Sequence, residues 1–325
     1  MEIIKLGEFK EYEKLYEMWN DEFGFIFPIT QELFDKNVFG YGHNAVDNSF
    51  VSIVDNQPVG FIIGKTWLDE YSVESYLDMS WISLIYVKPS FRNQGIGSAL
   101  LNKVEEIFIN ENKKSICIGR DYRNFFPGLP NELKYYRDWF SKKGYSIGYD
   151  TNDLIKKNTI NTKKEVLKPY KDNKQYIIRR ATINDFDKID TLIKTNWPGR
   201  WHMEFLDYVA CGGTGHEYMI CIDENDKVCG FCKACDVYTP IELCGYSMNY
   251  YDRFDYLGGI GPLGVDSNYR KLNIANNLLK TIINELLEKE VSEIIIDWTN
   301  LMHIYQKYGF EIWKSYSYIQ KELRK

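Results

Sequence analysis

The sequence predicts an α/β protein of two tandem domains, and the first reason is that it carries one motif twice. Val87-Lys88-Pro89-Ser90-Phe91-Arg92-Asn93-Gln94-Gly95-Ile96-Gly97 returns as Val265-Asp266-Ser267-Asn268-Tyr269-Arg270-Lys271-Leu272-Asn273-Ile274-Ala275. The second reason is context: in both copies an apolar strand-like run precedes the polar turn and a helix-period pattern follows it. The third is size, since 325 residues with 44% hydrophobic content can bury two cores of ordinary domain size.

The elements follow in the same order in each half. Ile3-Ile4 reads as a strand and Tyr12 to Trp19 as an amphipathic helix; Ile177-Ile178 and Phe186 to Ile193 repeat the pair. Val59-Gly60-Phe61 and Val228-Cys229-Gly230-Phe231 read as inner strands, followed by Trp81 to Val87 and the glycine-interrupted Tyr256 to Val265. The helix after the first turn, Ser98 to Asn110, is apolar at 100, 101, 104, 107 and 108. Its counterpart is apolar at 274, 278, 279, 282, 283, 286 and 287, again the spacing of one buried face. Ser115 to Ile118 and Ile294 to Ile296 are the next strands, and each half closes with a helix ending in glycine and an aromatic, Gly144-Tyr145 and Gly309-Phe310. The lysine-rich stretch between the halves reads as a connector, giving domains at 1–153 and 176–325 with a linker at 154–175.

A strand, a basic turn and a helix N-terminus together make an anion site. The first backbone N–H groups of a helix lack intrahelical partners and sit at the positive end of its dipole, so a diphosphate can accept several at once. Gly95 and Gly97 remove side chains that would hold phosphates away, and Arg92 adds charge. In the second copy Asn273 and Ala275 replace the glycines. Asn tolerates a left-handed backbone best among non-glycine residues and Ala has the smallest side chain with a Cβ, so this site is weakened but not erased.

Arg92-x-x-Gly95-x-Gly97, between a strand and a helix, resembles the acyl-CoA loop of the GNAT N-acetyltransferase superfamily, and the order of flanking elements resembles that family across nearly all of both halves. The resemblance implies, in each half, a central mixed β-sheet flanked by helices, whose fourth and fifth strands splay to admit the pantetheine arm. It also implies acetyl-CoA as acyl donor without a metal, and direct attack by a primary amine of a small molecule. The implied cofactor-binding residues are Ile85, Tyr86, Val87, Arg92, Asn93, Gln94, Gly95, Ile96, Gly97 and Ser98 in the first copy. In the second they are Leu263, Gly264, Val265, Arg270, Lys271, Leu272, Asn273, Ile274, Ala275 and Asn300. Tyr305 stands four residues before Gly309, where the family often carries the acid that protonates the departing thiolate; Phe140 stands there in the first copy. Tyr305 also fits an aromatic helix face packed on the sheet.

Acidic and aromatic residues gather just before the fourth strand of each half, where the family commonly builds its acceptor pocket. They are Glu70, Tyr71, Glu74, Tyr76 and Asp78, then Tyr246, Tyr250, Tyr251, Asp252, Asp255 and Tyr256. Carboxylates beside aromatic faces suit a cationic amine or amino sugar, so Glu74, Asp78, Asp252 and Asp255 are the acceptor or base candidates. An exposed acidic hairpin fits the same residues. Trp197-Pro198-Gly199-Arg200-Trp201 reads either as a second rim or as aromatics closing a core. The inserted Phe125-Phe126-Pro127-Gly128-Leu129-Pro130 of the first half reads as a cover for the CoA mouth, a domain contact or a plain rigid loop.

Other classes fit less well. The net charge of −6 gives no reason to expect a nucleic acid, and no apolar run reaches the ~20 residues that span a bilayer. With Met1 leading into a strand, the expectation is a cytoplasmic protein, its oligomeric state open. An odd count of seven cysteines suits reduced thiols. Strand alternation would send Cys232 to the face opposite Cys229 and Cys235, which argues against a zinc site. His43, His202, His216 and His303 share no catalytic or metal-ligand spacing. Two rival readings remain: a CoA-binding regulatory or structural first half without turnover, and a scaffold for a protein partner.

Overall fold

Each copy of the repeat lies in its own unit, one formed by Met1–Thr151 with Lys314–Lys325 and the other by Asn152–Trp313. The computed structural model describes residues 1–40, 42–68, 73–158 and 176–323; Glu70, Tyr71 and linker residues 159–175 lie outside them. Among the described residues no helix is long and apolar enough to cross a membrane.

The first unit contains β1 (Glu2–Lys5), α1 (Glu13–Phe23), α2 (Gln31–Val38), α3 (Ala45–Asn48), β2 (Phe50–Val54), β3 (Gln57–Thr66) and β4 (Met79–Val87). It continues with α4 (Ile96–Asn110), β5 (Ser115–Ile118), β6 (Leu129–Pro130), α5 (Arg137–Lys142) and the start of β7 (Ser146–Lys157). The second contains β8 (Tyr176–Arg180), α6 (Phe186–Asn196), α7 (Arg200–Ala210), β9 (Tyr218–Asp223), β10 (Val228–Asp236) and β11 (Leu257–Val265). After these come α8 (Ile274–Glu288), β12 (Glu293–Thr299), α9 (Met302–Gln306) and the start of β13 (Glu311–Glu322).

Both sheets are mixed and wired alike. In the first unit β1 to β4 pair antiparallel in sequence, and β4 then pairs parallel with β5. In the second β8 to β11 pair antiparallel, and β11 pairs parallel with β12. What departs from chain order is the strand beyond each parallel pair. β5 pairs with β13 from the chain's end, while β12 pairs with residues 152–157 of β7. The sequence boundaries at 153 and 176 run in simple succession; the units instead trade their last strands. Twelve-residue strands are long enough for this. Leu154 and Ile155 are buried in the second unit, and Tyr316 and Ile319 in the first, so both crossings are held by apolar burial as well as by ladder hydrogen bonds.

The helix period places the cores as expected. Leu100, Leu101, Val104 and Phe108 of α4 are buried, as are Leu278, Leu279, Ile282, Ile283 and Leu286 of α8. One expectation fails in β10. Cys229 and Cys232 belong to the same buried cluster, because a register shift between Val228 and Gly230 adds a residue and resets the alternation. The Cys229 thiol donates to the Cys221 carbonyl at 3.3 Å, and burial pushes the Cys232 thiol upward.

Candidate functional site

The first unit's site begins where β4 and β5 part. Their parallel pairing runs only from Met79↔Ser115 to Ile82↔Ile118. Gly119 and Arg120 then take positive φ of 62° and 65° and turn the chain away. On its other side β4 remains paired to β3 through Gly60↔Val87, so among the described residues no strand pairs with the second half of β4 on the side that β5 leaves. That edge borders a cavity of about 560 Å³.

Of the first-copy residues expected to hold cofactor, Ile85, Tyr86, Val87, Arg92, Asn93, Gly95, Ile96, Gly97 and Ser98 all line this cavity. Gln94 does not; its Nε2 donates to the Ser90 carbonyl at 3.0 Å and shapes the turn. Gly95 is the residue before α4, at φ 86°, and a Cβ there would meet no heavy atom within 4 Å. Open space over unpaired helix-terminal N–H groups is what an anionic group needs. Arg92 is not a free cation: it forms a two-point ion pair with Glu22 of α1, with Nη1 2.9 Å from Oε1, and its Nε donates to the Val87 carbonyl at 2.8 Å. The inserted segment contributes Phe126, Gly128, Leu129 and Pro130 to the cavity wall. Glu74 and Asp78 stay exposed, Asp78 paired to Lys114.

Phe140 lines the cavity, but so do Tyr135 and Tyr136. Burial pushes the Tyr136 phenol up to about 12 although Arg92 pulls it down. Sequence reading missed Tyr136, whose signal was its position one helical turn before Phe140. It also missed a buried relay behind the cavity wall. Ser83, which lines the cavity, donates to Asp121 Oδ2 at 2.9 Å, and Lys65 Nζ meets the same oxygen at 2.6 Å. Burial lowers the Lys65 ammonium, with Asp121 opposing.

The second unit reproduces the turn's backbone without its glycines. Asn273 precedes α8 at φ 64°, and Lys271 at φ 68° matches Asn93 at 62°. At the matching Gly97 of the first unit a Cβ would find its nearest neighbours, Trp139 and Val87, at 3.7 Å, an ordinary contact distance. The Leu272 carbonyl accepts from Tyr176 at 3.1 Å, Ile274 is buried, and Arg270 is exposed without a partner among the described residues. Here too the parallel pair ends early, at Ile260↔Ile296, leaving Leu263, Gly264 and Val265 paired on one side only, to β10. Trp197 covers Gly264: a Cβ there would lie 2.6 Å from its ring, and Trp197 also packs on Phe231. Asn300, Asp252 and Asp255 are exposed.

What the fold gathers at this second parting is a set of charged groups. Asp297 follows Ile296 at a register break in β12, packed on Gly261, where an added Cβ would lie 2.4 Å from its Oδ1. Burial pushes its carboxyl up to about 7; Arg200 opposes the rise and Glu204 and Asp153 add to it. Arg200 lies over the Trp298 ring at 3.8 Å, with Nε 3.4 Å from Glu204. Asp153 accepts from Tyr246 and from the Trp298 N–H, both at 2.9 Å. Tyr305, only 8% exposed, is raised first by burial, then by Cys232 and Asp297. Of the predicted acceptor residues, Tyr246 and Tyr250 are buried near this cluster.

Among the described residues no group of His, Cys, Asp and Glu could hold a metal ion. The family model described as acetyltransferase (GNAT) matches residues 12–124 and 186–310. Among solved structures, one similar chain is the glucosamine N-acetyltransferase region of a fungal multi-domain β-N-acetylglucosaminidase, at TM-score 0.80 and 19% identity. That match covers 98% of this chain and 38% of the fungal one, so the chain spans well under half of that protein. A tandem GNAT protein from the clavulanic acid biosynthesis pathway matches at TM-score 0.67 and 12% identity, covering 99% of this chain and 98% of its own. A GNAT N-acetyltransferase from Sphaerobacter thermophilus matches at 0.59 and 14%, covering 85% and 81%. At these identities the similarity is one of fold.

Proposed function

This chain belongs to the acetyltransferase (GNAT) family, and from that premise we propose that it transfers an acetyl group from acetyl-CoA to a primary amine of a small molecule, with acyl-CoA held in the first unit. The observation that carries the reading is the edge of β4 that β5 leaves, beside a cavity that ends at the open Gly95 turn. The diphosphate would take the N–H groups at the start of α4, and the pantetheine amides would pair with the β4 edge as an added strand. A backbone amide of that edge would polarise the thioester carbonyl and stabilise the charge formed when the amine attacks. Tyr136 is the phenol available to protonate the thiolate in this unit, and Tyr305 is its counterpart in the second. An amino sugar is the acceptor class we favour, because carboxylates beside aromatic faces suit it and a structural neighbour is described as a glucosamine N-acetyltransferase.

The second reading, a first unit that holds CoA without turnover, draws on Phe140 at the cavity wall. Calorimetric titration of acetyl-CoA into wild type, Gly95→Glu and Asn273→Glu proteins tests cofactor placement. Gly95→Glu should weaken binding by roughly a hundredfold or more, since it puts an anion and a strained positive φ into the turn. No binding to wild type would end the acetyltransferase reading. Tyr136→Phe and Tyr305→Phe separate the rest: loss of kcat in the first alone places turnover in the first unit, and in the second alone makes that unit's cofactor the one consumed.

A further inference from the structure

We propose that Cys235 and Cys244 of the second unit form a redox-active dithiol, and that a hydroperoxide joins them in a disulfide that closes residues 236–243 into a loop. The inference is independent of the acetyltransferase reading.

The pairing is set by the course of the chain. Cys235 is the penultimate residue of β10, and Cys244 follows the short helical turn Ile241–Leu243 that brings the chain back beside the strand it left. Cys235 Sγ lies 4.0 Å from the carbonyl oxygen of Leu243, the residue bonded to Cys244. The segment between them is already held in place. The Asp236 N–H donates to Thr239 Oγ1 at 3.2 Å, the Tyr238 N–H to Asp236 Oδ1 at 3.0 Å and the Leu243 N–H to the Pro240 carbonyl at 2.9 Å, while Lys289 Nζ meets Asp236 Oδ2 at 2.6 Å. Folding has therefore met most of the entropic cost of closing this loop before the sulfurs join.

Cys235 has the surroundings of an attacking sulfur. The Cys244 thiol donates to it and holds it below the ordinary thiol value; burial and Glu217 oppose this, and Lys233 and the Gly245 N–H support it. Lys233 is itself buried, with Nζ over the Tyr208 ring at 5.1 Å and the Tyr218 ring at 5.6 Å, and no carboxylate stands at ion-pair distance from it among the described residues. A cation without a counter-ion in a poorly hydrated corner favours a thiolate two residues along the strand. Cys244 Sγ lies 3.6 Å from the Thr239 carbonyl, an acceptor that favours its protonated form. The pair thus divides into a nucleophile and a resolving thiol.

The other buried cysteines lack these features. Cys221 and Cys229 are neighbours too, but both are 0% exposed, and the charged groups around Cys229 are Asp223 and Asp266, which disfavour a thiolate. Cys232 is 0% exposed and pushed upward by burial. Cys235 and Cys244 keep 4% and 6% exposure beneath a segment whose Tyr238, Pro240 and Glu242 are at the surface, which suits a small oxidant better than a bulky disulfide.

In the first step the Cys235 thiolate attacks one peroxide oxygen and the O–O bond breaks. Cys235 is oxidised to a sulfenic acid, and the departing oxygen leaves as hydroxide, or as an alcohol from an organic hydroperoxide once it takes a proton. In the second step the Cys244 sulfur attacks the Cys235 sulfur, the S–O bond breaks, and the released hydroxide carries off the Cys244 proton as water. A thiol reductant reverses the change by exchange.

The test uses the full chain in its native state. Wild-type protein is treated with hydrogen peroxide, quenched with catalase, unfolded in N-ethylmaleimide and cut with trypsin and a glutamate-specific protease, which separates Ala234–Glu242 from Leu243–Arg253. Mass spectrometry should find these two peptides joined until a reductant parts them, with Cys221, Cys229 and Cys232 alkylated. Cys244→Ser should leave Cys235 as a sulfenic acid that dimedone captures, and Lys233→Met should slow the joining by roughly five- to tenfold. A peroxide-treated wild type in which Cys235 and Cys244 are both alkylated, or in which Cys221 is joined to Cys229 instead, overturns the dithiol. An equal rate in Lys233→Met overturns the role given to the lysine. The wild-type map needs no variant, so it decides the proposal even where a substitution at these buried positions unfolds the chain.

Discussion

In the first unit the turn has Gly95 at φ 86°, and Arg92 is clamped by Glu22; in the second, Asn273 holds the same bend at φ 64°, and Arg270 stands exposed. Both turns open 15-residue helices, and both follow a strand whose parallel partner leaves early. The backbone of the turn therefore survives loss of its glycines, because Asn can adopt the required left-handed angle. The side chains around the two turns have no such freedom. Beside its cavity the first unit has Tyr136 with the Ser83–Asp121–Lys65 relay behind it, and the second has Tyr305 with Asp297. A duplicated frame can keep its geometry while the titratable side chains around it diverge.

The largest expected effect breaks the comparison at its base. Deleting residues 314–325 removes the strand that pairs with β5 and β6, together with buried Tyr316 and Ile319 and the Lys321 link to Glu105. The first unit should lose cooperative unfolding while the second retains it, followed by hydrogen exchange of α4 against α8; equal protection of both would show that β13 is dispensable. The next effect sharpens the contrast in charge. A carboxyl whose folded value is raised to about 7 binds more protons folded than unfolded, so stability falls as pH climbs from the ordinary carboxylate range through neutrality. Asp297→Asn should therefore melt a few degrees above wild type at pH 8, and the difference should shrink below the unfolded carboxylate range. A difference independent of pH would mean that Asp297 is not the titrating group. The smallest effect tests the clamp. Glu22→Gln should free the Arg92 charge and tighten acetyl-CoA binding by roughly three- to tenfold at low salt, less at high salt, whereas the same change at an exposed acid such as Glu111 should do nothing measurable.

Periodicity and the repeat made most of the fold legible. Apolar spacing gave both long helices within two residues of their observed starts, and the loop residues at 85–87 and 92–98 converge on one cavity apart from Gln94. These features are local: helix period, turn chemistry and a helix terminus depend on neighbours within a few residues. Acceptor candidates were less legible, since Glu74, Asp78, Asp252 and Asp255 were chosen by nearness along the chain and stand exposed. Asp297 was invisible among aspartates because nothing beside it in sequence distinguishes it. Its character comes first from burial, then from Arg200, which opposes the rise, and Glu204, nearly a hundred positions earlier, and from Asp153 farther still.

By itself, then, the sequence determined two α/β frames, each with a strand–turn–helix junction, because those properties are written in short-range spacing. The tertiary structure decided which strand closes each sheet, which tyrosine meets the cavity and which carboxyl is driven toward neutrality. Strand exchange, burial and the field of distant charges depend on residues that become neighbours only when the chain folds.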